Sequence, residues 1–185
     1  MNVYDFDHTI YDGDASIDFF KFCLRERLTL LRFFPKQMLG RINEKIGRYD
    51  TKKMKEYFFS FLTGIEFTEA VNSFWTKNQH KIGKWYLDQK KPDDIIITAS
   101  PSFLIKPICD ELSIRLVATE MDPLTGKIRG ENCKGEEKLK RFRQEFENTE
   151  VENFYSDSLV DMPLAEISKK AFLVKKGSLY PWPNL

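Results

Sequence analysis

Asp5 and Asp7 stand two residues apart in Asp5-Phe6-Asp7-His8-Thr9, just after a short apolar run. In an extended strand residues i and i+2 share a side, so both carboxylates can face one ligand. One carboxylate can attack phosphorus and form an aspartyl-phosphate, dividing a difficult displacement into two easier steps. The second can protonate a departing alcohol and later deprotonate the water that cleaves the intermediate. A neighbouring charge that raises its pKa would suit it to that work. Acid pairs also cap helices and end turns, so this pair alone decides nothing.

Three further groups bear on the same chemistry. Thr98-Ala99-Ser100-Pro101 ends an apolar run with hydroxyls and loop N–H groups, donors that suit the oxygens of a phosphoryl group. The plainer reading is a cap for the following helix. Asp157-Ser158-Leu159-Val160-Asp161 offers hard oxygen ligands of the kind Mg²⁺ takes; a helix cap with a first-turn acid is the competing account. Lys134 and Lys138 sit four residues apart at a helix start. One ammonium reaching the phosphate and the nucleophile would offset their charge, although most such lysines are simply solvated.

The elements that must position these groups follow from apolar spacing. Residues 2–6 predict a short strand with its acids at the C-terminal end. Residues 14–90 carry helical spacing, as in Ile17, Phe20, Leu24 and Leu28 or Phe67, Val71, Phe74 and Trp75, and predict about four helical segments. Asp50-Thr51 and Thr68 are the expected helix starts. Ile95-Ile96-Ile97 reads as a doubly buried parallel strand. A helix through Phe103 and Leu112 follows, then a strand over 114–119, a hairpin turn over 124–128 and a charged helix over 135–147. A strand over 151–156, one more helix and a strand over 171–174 complete the chain. This alternation predicts an α/β fold, a mainly parallel open sheet with helices on both faces. In such sheets ligands bind beyond the C-terminal strand edges, near a switch in strand order. The three polar strand ends should therefore converge.

Composition narrows the classes. The 185 residues suit one α/β domain with a modest insertion. Twenty-nine basic and 28 acidic side chains leave a net charge of +1, so no global field points to nucleic acid. Cys23, Cys109 and Cys133 are odd in number and without metal-ligand spacing, and two histidines are too few for a histidine-rich zinc site. No apolar run reaches the ~18–20 residues of a membrane span. The expectation is a soluble cytoplasmic protein, with monomer and homodimer not distinguished.

Together, in order and spacing, Asp5 to Thr9, Ile96 to Pro101, Gly135-Glu136-Glu137-Lys138 and Tyr155 to Asp161 resemble the haloacid dehalogenase-like superfamily, in its phosphoserine-phosphatase-like branch. The resemblance implies a Rossmann-like three-layer core over residues 1–13 and 91–185, with 14–90 as a helical cap inserted after the first motif. It implies Asp5 as nucleophile and Asp7 as general acid/base. Thr98, with Ala99 and Ser100, would bind the phosphate. Mg²⁺ would be held by Asp5, Asp157 and the carbonyl of Asp7, with Asp161 and Ser158 in support. Lys138 fits this branch's Gly-Glu-Glu-Lys pattern, whereas Lys134 fits the spacing of phosphoserine phosphatases themselves; Lys138 is preferred. His8 departs from the usual Gly or Ser and is expected to fill a turn. Dehalogenases of the superfamily lack the second acid, because halide leaves without a proton, so Asp7 favours phosphate-ester hydrolysis.

The expected substrate is a small phosphorylated metabolite. Asp14 lies where similar phosphoserine phosphatases carry a glutamate for the substrate ammonium, yet it also reads as the N-cap of the first cap helix. Phosphoserine is thus one candidate beside sugar phosphates, nucleotides and phospholipid head groups. The basic and apolar stretch 28–39 admits a minor reading as a docking segment for a membrane or partner. A non-catalytic phospho-ligand module on the same fold is the alternative function. A receiver-like signalling domain fits less well, because the lysine here precedes the last acid pair.

Overall fold

The computed structural model describes residues 1–183. Its six strands are β1 (Asn2–Tyr4), β2 (Ile95–Pro101), β3 (Arg115–Thr119), β4 (Val151–Ser156), β5 (Ser168–Lys175) and β6 (Ser178–Pro181). They form one sheet in the order β3-β2-β1-β4-β5-β6, parallel except for the β5–β6 pair. β1 lies between β2 and β4, so the chain leaves it in opposite directions, and a crevice opens beyond its C-terminal end.

Alternation along the strands divides the core. Tyr4, Ile96 and Tyr155 face one side, where Tyr4 and Tyr155 stack with centroids 4.7 Å apart. Val3, Ile95, Ile97 and Phe154 face the other. Helices α1 (Ala15–Glu26), α2 (Phe34–Lys45), α3 (Thr51–Phe58), α4 (Phe67–Asn78) and α5 (Lys84–Gln89) precede β2, and α6 (Ser102–Glu111) follows it. Side chains of α1, α4, α5 and α6 share the first core with the sheet, and Trp75 Nε1 donates to the Leu104 carbonyl at 2.6 Å. Helices α7 (Glu136–Glu145) and α8 (Met162–Glu166) cover the second side through Phe142, Leu164 and Ala165. Beneath the sheet the buried Asp94 carboxylate accepts from Asn2 N, Asn2 Nδ2, Tyr4 Oη and Lys91 N, tying β1 to the start of β2.

The parallel sheet and helix alternation agree with the sequence; several boundaries differ. β1 ends at Tyr4, although Asp5 N still donates to the Tyr155 carbonyl at 2.8 Å. The segment read as about four helical pieces holds five α-helices and three 3₁₀ turns, Leu28–Phe33, Phe59–Gly64 and Gln79–Lys81. Asp50 caps α3 through Lys53 N, but α4 is capped by Glu66, which accepts from Thr68 N and Glu69 N, rather than by Thr68. The turn near 124–128 is closed by Asp122 and a single Met121–Ile128 bridge, without a strand ladder. β6 was not anticipated: Ser178-Leu179-Tyr180-Pro181 is exposed on the sheet edge and has no buried face to generate a pattern. No helix among the described residues is long and apolar enough to cross a membrane. The three cysteines are free and buried.

Candidate active site

The loop after β1 turns sharply, with the Phe6 carbonyl accepting from Ile10 N at 3.1 Å and Tyr11 N at 3.0 Å. This aims Asp5 and Asp7 into the crevice. Asp5 Oδ1 accepts from Phe6 N at 2.8 Å and pairs with Lys138 Nζ at 2.9 Å. Its Oδ2 accepts no hydrogen bond among the described residues. Burial pushes the Asp5 carboxyl above its ordinary value, and the Lys138 ammonium opposes that push. Asp7 Oδ1 accepts from Ala15 N at 2.7 Å, at the start of α1, and its Oδ2 accepts from Ser100 Oγ. Burial first, and then the Asp14 carboxylate, raise Asp7 to about 7. A carboxyl poised there can both give and take a proton near neutrality.

Lys138 is 1% exposed, one of the largest buried side chains, on the first turn of α7. Its ammonium bridges Asp5 at 2.9 Å and Asp161 Oδ2 at 2.7 Å. Burial would lower its pKa, but the two carboxylates outweigh that and hold it above the usual lysine value. Asp161 is fixed in turn by Ser156 Oγ at 2.9 Å and Gly135 N at 3.2 Å. Gly135 precedes α7 with φ +57° and ψ −123°, a conformation that suits glycine. Lys134 lines the same cavity but is exposed, with no ion pair among the described residues. Of the two lysines weighed from the sequence, Lys138 is the one in contact with Asp5.

Thr98 is buried within β2, where the register with β3 shifts before Pro101, and its Oγ1 accepts from Ser100 N at 3.1 Å. The Ala99 carbonyl accepts from Lys55 Nζ at 2.7 Å, and Lys55 also reaches Asn132 Oδ1 at 2.8 Å. Burial lowers Lys55 to about 8, partly countered by Asp7 and Asp14. Sequence reasoning missed Lys55, because in Lys52-Lys53-Met54-Lys55 nothing separates it from solvated neighbours. It also missed Ser16, whose Oγ lies 3.3 Å from Ser100 Oγ.

Asp157 N donates to Thr9 Oγ1 at 3.0 Å, which holds the loop after β4 against the loop after β1. The Asp157 carboxylate makes no hydrogen bond or ion pair among the described residues. Burial and then the negative charge of Asp5 raise it to about 6. Two mutually repelling carboxylates, one unpartnered, form a hard-oxygen donor set that fits a small divalent cation. No group of three or more His, Cys, Asp or Glu side chains poised for a metal occurs among the described residues. Mg²⁺ does not need one, since it keeps several waters and binds through one or two carboxylates. Ser158 N donates to Ser156 Oγ at 3.1 Å, and Ser158 Oγ accepts from Val160 N.

One cavity of about 560 Å³ collects Asp5, Asp7, Thr98, Lys138, Asp157 and Asp161, and Asp14, Ala99, Ser100, Lys134 and Ser158 line it too. Asp14 has both features anticipated for it: it lines the cavity, and its Oδ1 caps α1 through Ile17 N at 2.9 Å. His8 is exposed with φ +54° and donates its N–H to the Gly13 carbonyl, as a turn residue does. The far wall is apolar, built from Ile17, Phe20, Phe34, Met38, Met54 and Phe58, with Arg41 beside them.

Known proteins share this architecture. A protein of unknown function from Bordetella pertussis Tohama I superposes with a TM-score of 0.74 at 21% identity, covering 92% of this chain and 87% of the other. A phosphoserine phosphohydrolase-like protein from Francisella tularensis gives 0.59 at 17% identity, over 92% and 86%. A substrate-bound phosphoserine phosphatase gives 0.59 at 15%, over 91% and 82%. At these identities the likeness establishes the fold. No curated protein sequence matches the chain significantly. The family model for haloacid dehalogenase-like hydrolases matches residues 3–166, spanning all four motifs, and the chain belongs to that family.

Proposed function

We propose that the chain is a Mg²⁺-dependent phosphomonoester hydrolase that works through an aspartyl-phosphate on Asp5. The observation that carries the reading is the pairing, in one cavity, of a lysine-bridged Asp5 with a second acid, Asp7, raised to about 7. A halide would need no such acid; an alkoxide does. The phosphoserine phosphatases among the structures of the same fold accord with this class.

In this mechanism Asp5 Oδ2, the oxygen left free by Lys138 and Phe6 N, attacks phosphorus and the P–O bond to the alcohol breaks. Asp7 gives its proton to the departing oxygen. A water then loses a proton to Asp7 and attacks the phosphoryl group on Asp5, releasing phosphate and restoring both carboxyls. Thr98 Oγ1 and the Ala99 N–H hold the phosphoryl oxygens, the Ser100 N–H steadies Thr98 Oγ1, and Lys138 offsets the charge on Asp5 and phosphate. Ser100 Oγ and Ala15 N orient Asp7. Asp5, Asp157 and the Asp7 carbonyl would hold Mg²⁺, which supplies charge neutralisation and alignment of the phosphoryl group. Residues 14–90 act as the cap that covers the leaving group, with 1–13 and 91–185 as the core.

Hydrolysis of p-nitrophenyl phosphate with and without Mg²⁺, in the wild type and in Asp5→Asn, tests the reading. Metal-dependent turnover that vanishes in the variant is expected. Turnover that survives the substitution rejects Asp5 as nucleophile, and absence of turnover on p-nitrophenyl phosphate and on a panel of natural phosphomonoesters favours the binding-only alternative.

A further inference from the structure

Helix α2 is built inside out. Its buried positions are Gln37, Gly40 and Asn43, whereas Phe34, Met38, Leu39 and Ile42 are 42–52% exposed. Gly40 packs so close to Tyr57 that a Cβ would sit 2.5 Å from the Tyr57 Cβ, and Gln37 Nε2 donates to the Phe58 carbonyl at 2.9 Å. The helix is therefore seated by a small residue and polar contacts, while its apolar side chains face outward. Folding alone would favour the reverse.

The outward residues form a continuous line. Leu28, Leu31 and Phe34 recur every three residues through the 3₁₀ turn, whose repeat is three, and Phe34, Met38, Ile42 and Ile46 recur every four along the α-helix. Leu28, Leu31 and Ile46 are 69%, 53% and 57% exposed. So long an apolar stripe marks an interaction surface.

Charge indicates what covers it. The chain as a whole is near neutral, at +1, yet residues 25–48 carry seven Lys and Arg against only Glu26 and Glu44. By helical spacing Arg41 and Lys45 fall along the apolar line itself, one turn apart. Apolar side chains set among basic ones match the boundary of an anionic bilayer, where the former enter the acyl region and the latter meet head-group phosphates. An acidic protein surface would match the charge equally; what favours a bilayer is that the same apolar stripe continues into the cavity.

The stripe also runs into the candidate active site. Phe34 and Met38, half exposed, line the cavity together with Ile17, Phe20, Met54 and Phe58. Arg41 stands at the same place and pairs with Glu44 at 2.7 Å. The leaving-group side of the cavity is thus mainly apolar, with Gln37, Arg41, Thr51 and Lys55 among its polar members. It is continuous with the exposed stripe, which suits an alcohol bearing a hydrocarbon body. A zwitterionic amino-acid head would leave most of that wall unused.

We infer that α2 and the preceding 3₁₀ turn dock on an anionic membrane, and that the substrate is a lipid whose head group ends in a phosphomonoester. This rests on the phosphatase reading for its chemistry; the docking does not. The test uses the whole chain with vesicles of phosphatidylcholine containing about a third phosphatidylglycerol, the same vesicles doped with phosphatidic acid as substrate, and p-nitrophenyl phosphate and phosphoserine as soluble controls. The variant is Leu31→Glu/Ile42→Glu, two exposed positions outside the cavity.

Salt-sensitive co-sedimentation with the vesicles is expected, weakened by about tenfold or more in the variant. The variant keeps its thermal midpoint and wild-type turnover of p-nitrophenyl phosphate but loses turnover of the vesicle-borne substrate in step with binding. Wild-type kcat/KM for the lipid phosphate exceeds that for phosphoserine. Normal p-nitrophenyl phosphate turnover without vesicle binding overturns the inference alone, as does self-association through this face that Leu31→Glu abolishes. Vesicle binding combined with a preference for phosphoserine overturns the substrate assignment. Lack of turnover on every phosphomonoester instead rejects the underlying phosphatase reading, and it does so whether or not the vesicles bind.

Discussion

Replacing Lys138 by Met removes the one ammonium that bridges Asp5 at 2.9 Å and Asp161 at 2.7 Å. At an effective dielectric of about 20, a unit pair at either distance attracts by about 6 kcal/mol. Much of that is offset in the native protein by the cost of burying all three charges. Taking away one member of a buried pair leaves a net loss of about 3–5 kcal/mol. For a chain of this size that lowers the thermal midpoint by roughly 6–20 °C. The loss also carries a pH signature. Without the cation, Asp5, already raised above its ordinary 3.8 by burial, rises further. Between the unfolded and folded values the folded state then binds more protons, so the variant's stability falls as pH rises through that window. The deficit is therefore largest near pH 7.5 and narrows towards pH 5. Circular-dichroism melts and urea titrations at both pH values measure it, with Lys134→Met as an exposed control that shifts stability by less than about 0.5 kcal/mol. A Lys138→Met variant within about 1 kcal/mol of wild type, or one whose deficit is the same at both pH values, refutes the reasoning.

Asp14→Asn removes the charge that, after burial, raises Asp7. Turnover of alkyl phosphates, which need a protonated Asp7, declines as pH rises through about 7 in the wild type. In the variant that decline moves to lower pH, while p-nitrophenyl phosphate, whose leaving group needs little protonation, shows a shallower dependence. A pH–rate profile that stays in place rejects the coupling. Asp94→Ala strands donors from Asn2, Tyr4 and Lys91 beneath the sheet and costs about 2–3 kcal/mol in urea unfolding, with Asp94→Asn losing less. Gly135→Ala forces a side chain into a conformation with φ +57° and brings a Cβ to 3.2 Å from the Val160 carbonyl. It should lower stability by about 1–3 kcal/mol and turnover with it, by displacing the N–H that holds Asp161.

What the sequence disclosed and what it hid differ for physical reasons. Asp5, Asp7, Thr98, Asp157 and Asp161 were legible because buried parallel strands read as apolar runs, and polar residues at their ends converge by topology. In the sequence the Gly-Glu-Glu-Lys pattern alone favours Lys138 over Lys134, since both lie at a helix start; in the structure Lys138 is buried against Asp5 and Lys134 is exposed. Lys55 and Ser16 were hidden because helices within 15–58 bring them to the site through tertiary contacts that no local pattern encodes. β6 was invisible because an exposed edge strand has no apolar face. Periodicity misleads most in α2. Apolar spacing alone suggests a core face, and the stretch 28–39 admits only a minor reading as a docking segment; the burial of Gln37, Gly40 and Asn43 shows that the apolar side faces outward.

The central claim is that Asp5 carries the phosphoryl group. Rapid acid quench of the enzyme during turnover of a phosphomonoester with Mg²⁺, followed by peptide mass spectrometry, tests it most directly. The mass of one phosphoryl group is predicted on the peptide containing Asp5. It should accumulate further in Asp7→Asn, where the water loses its base, and be absent from Asp5→Asn. Turnover with no phosphoryl group on that peptide in either protein, or with the label on another residue, contradicts the account.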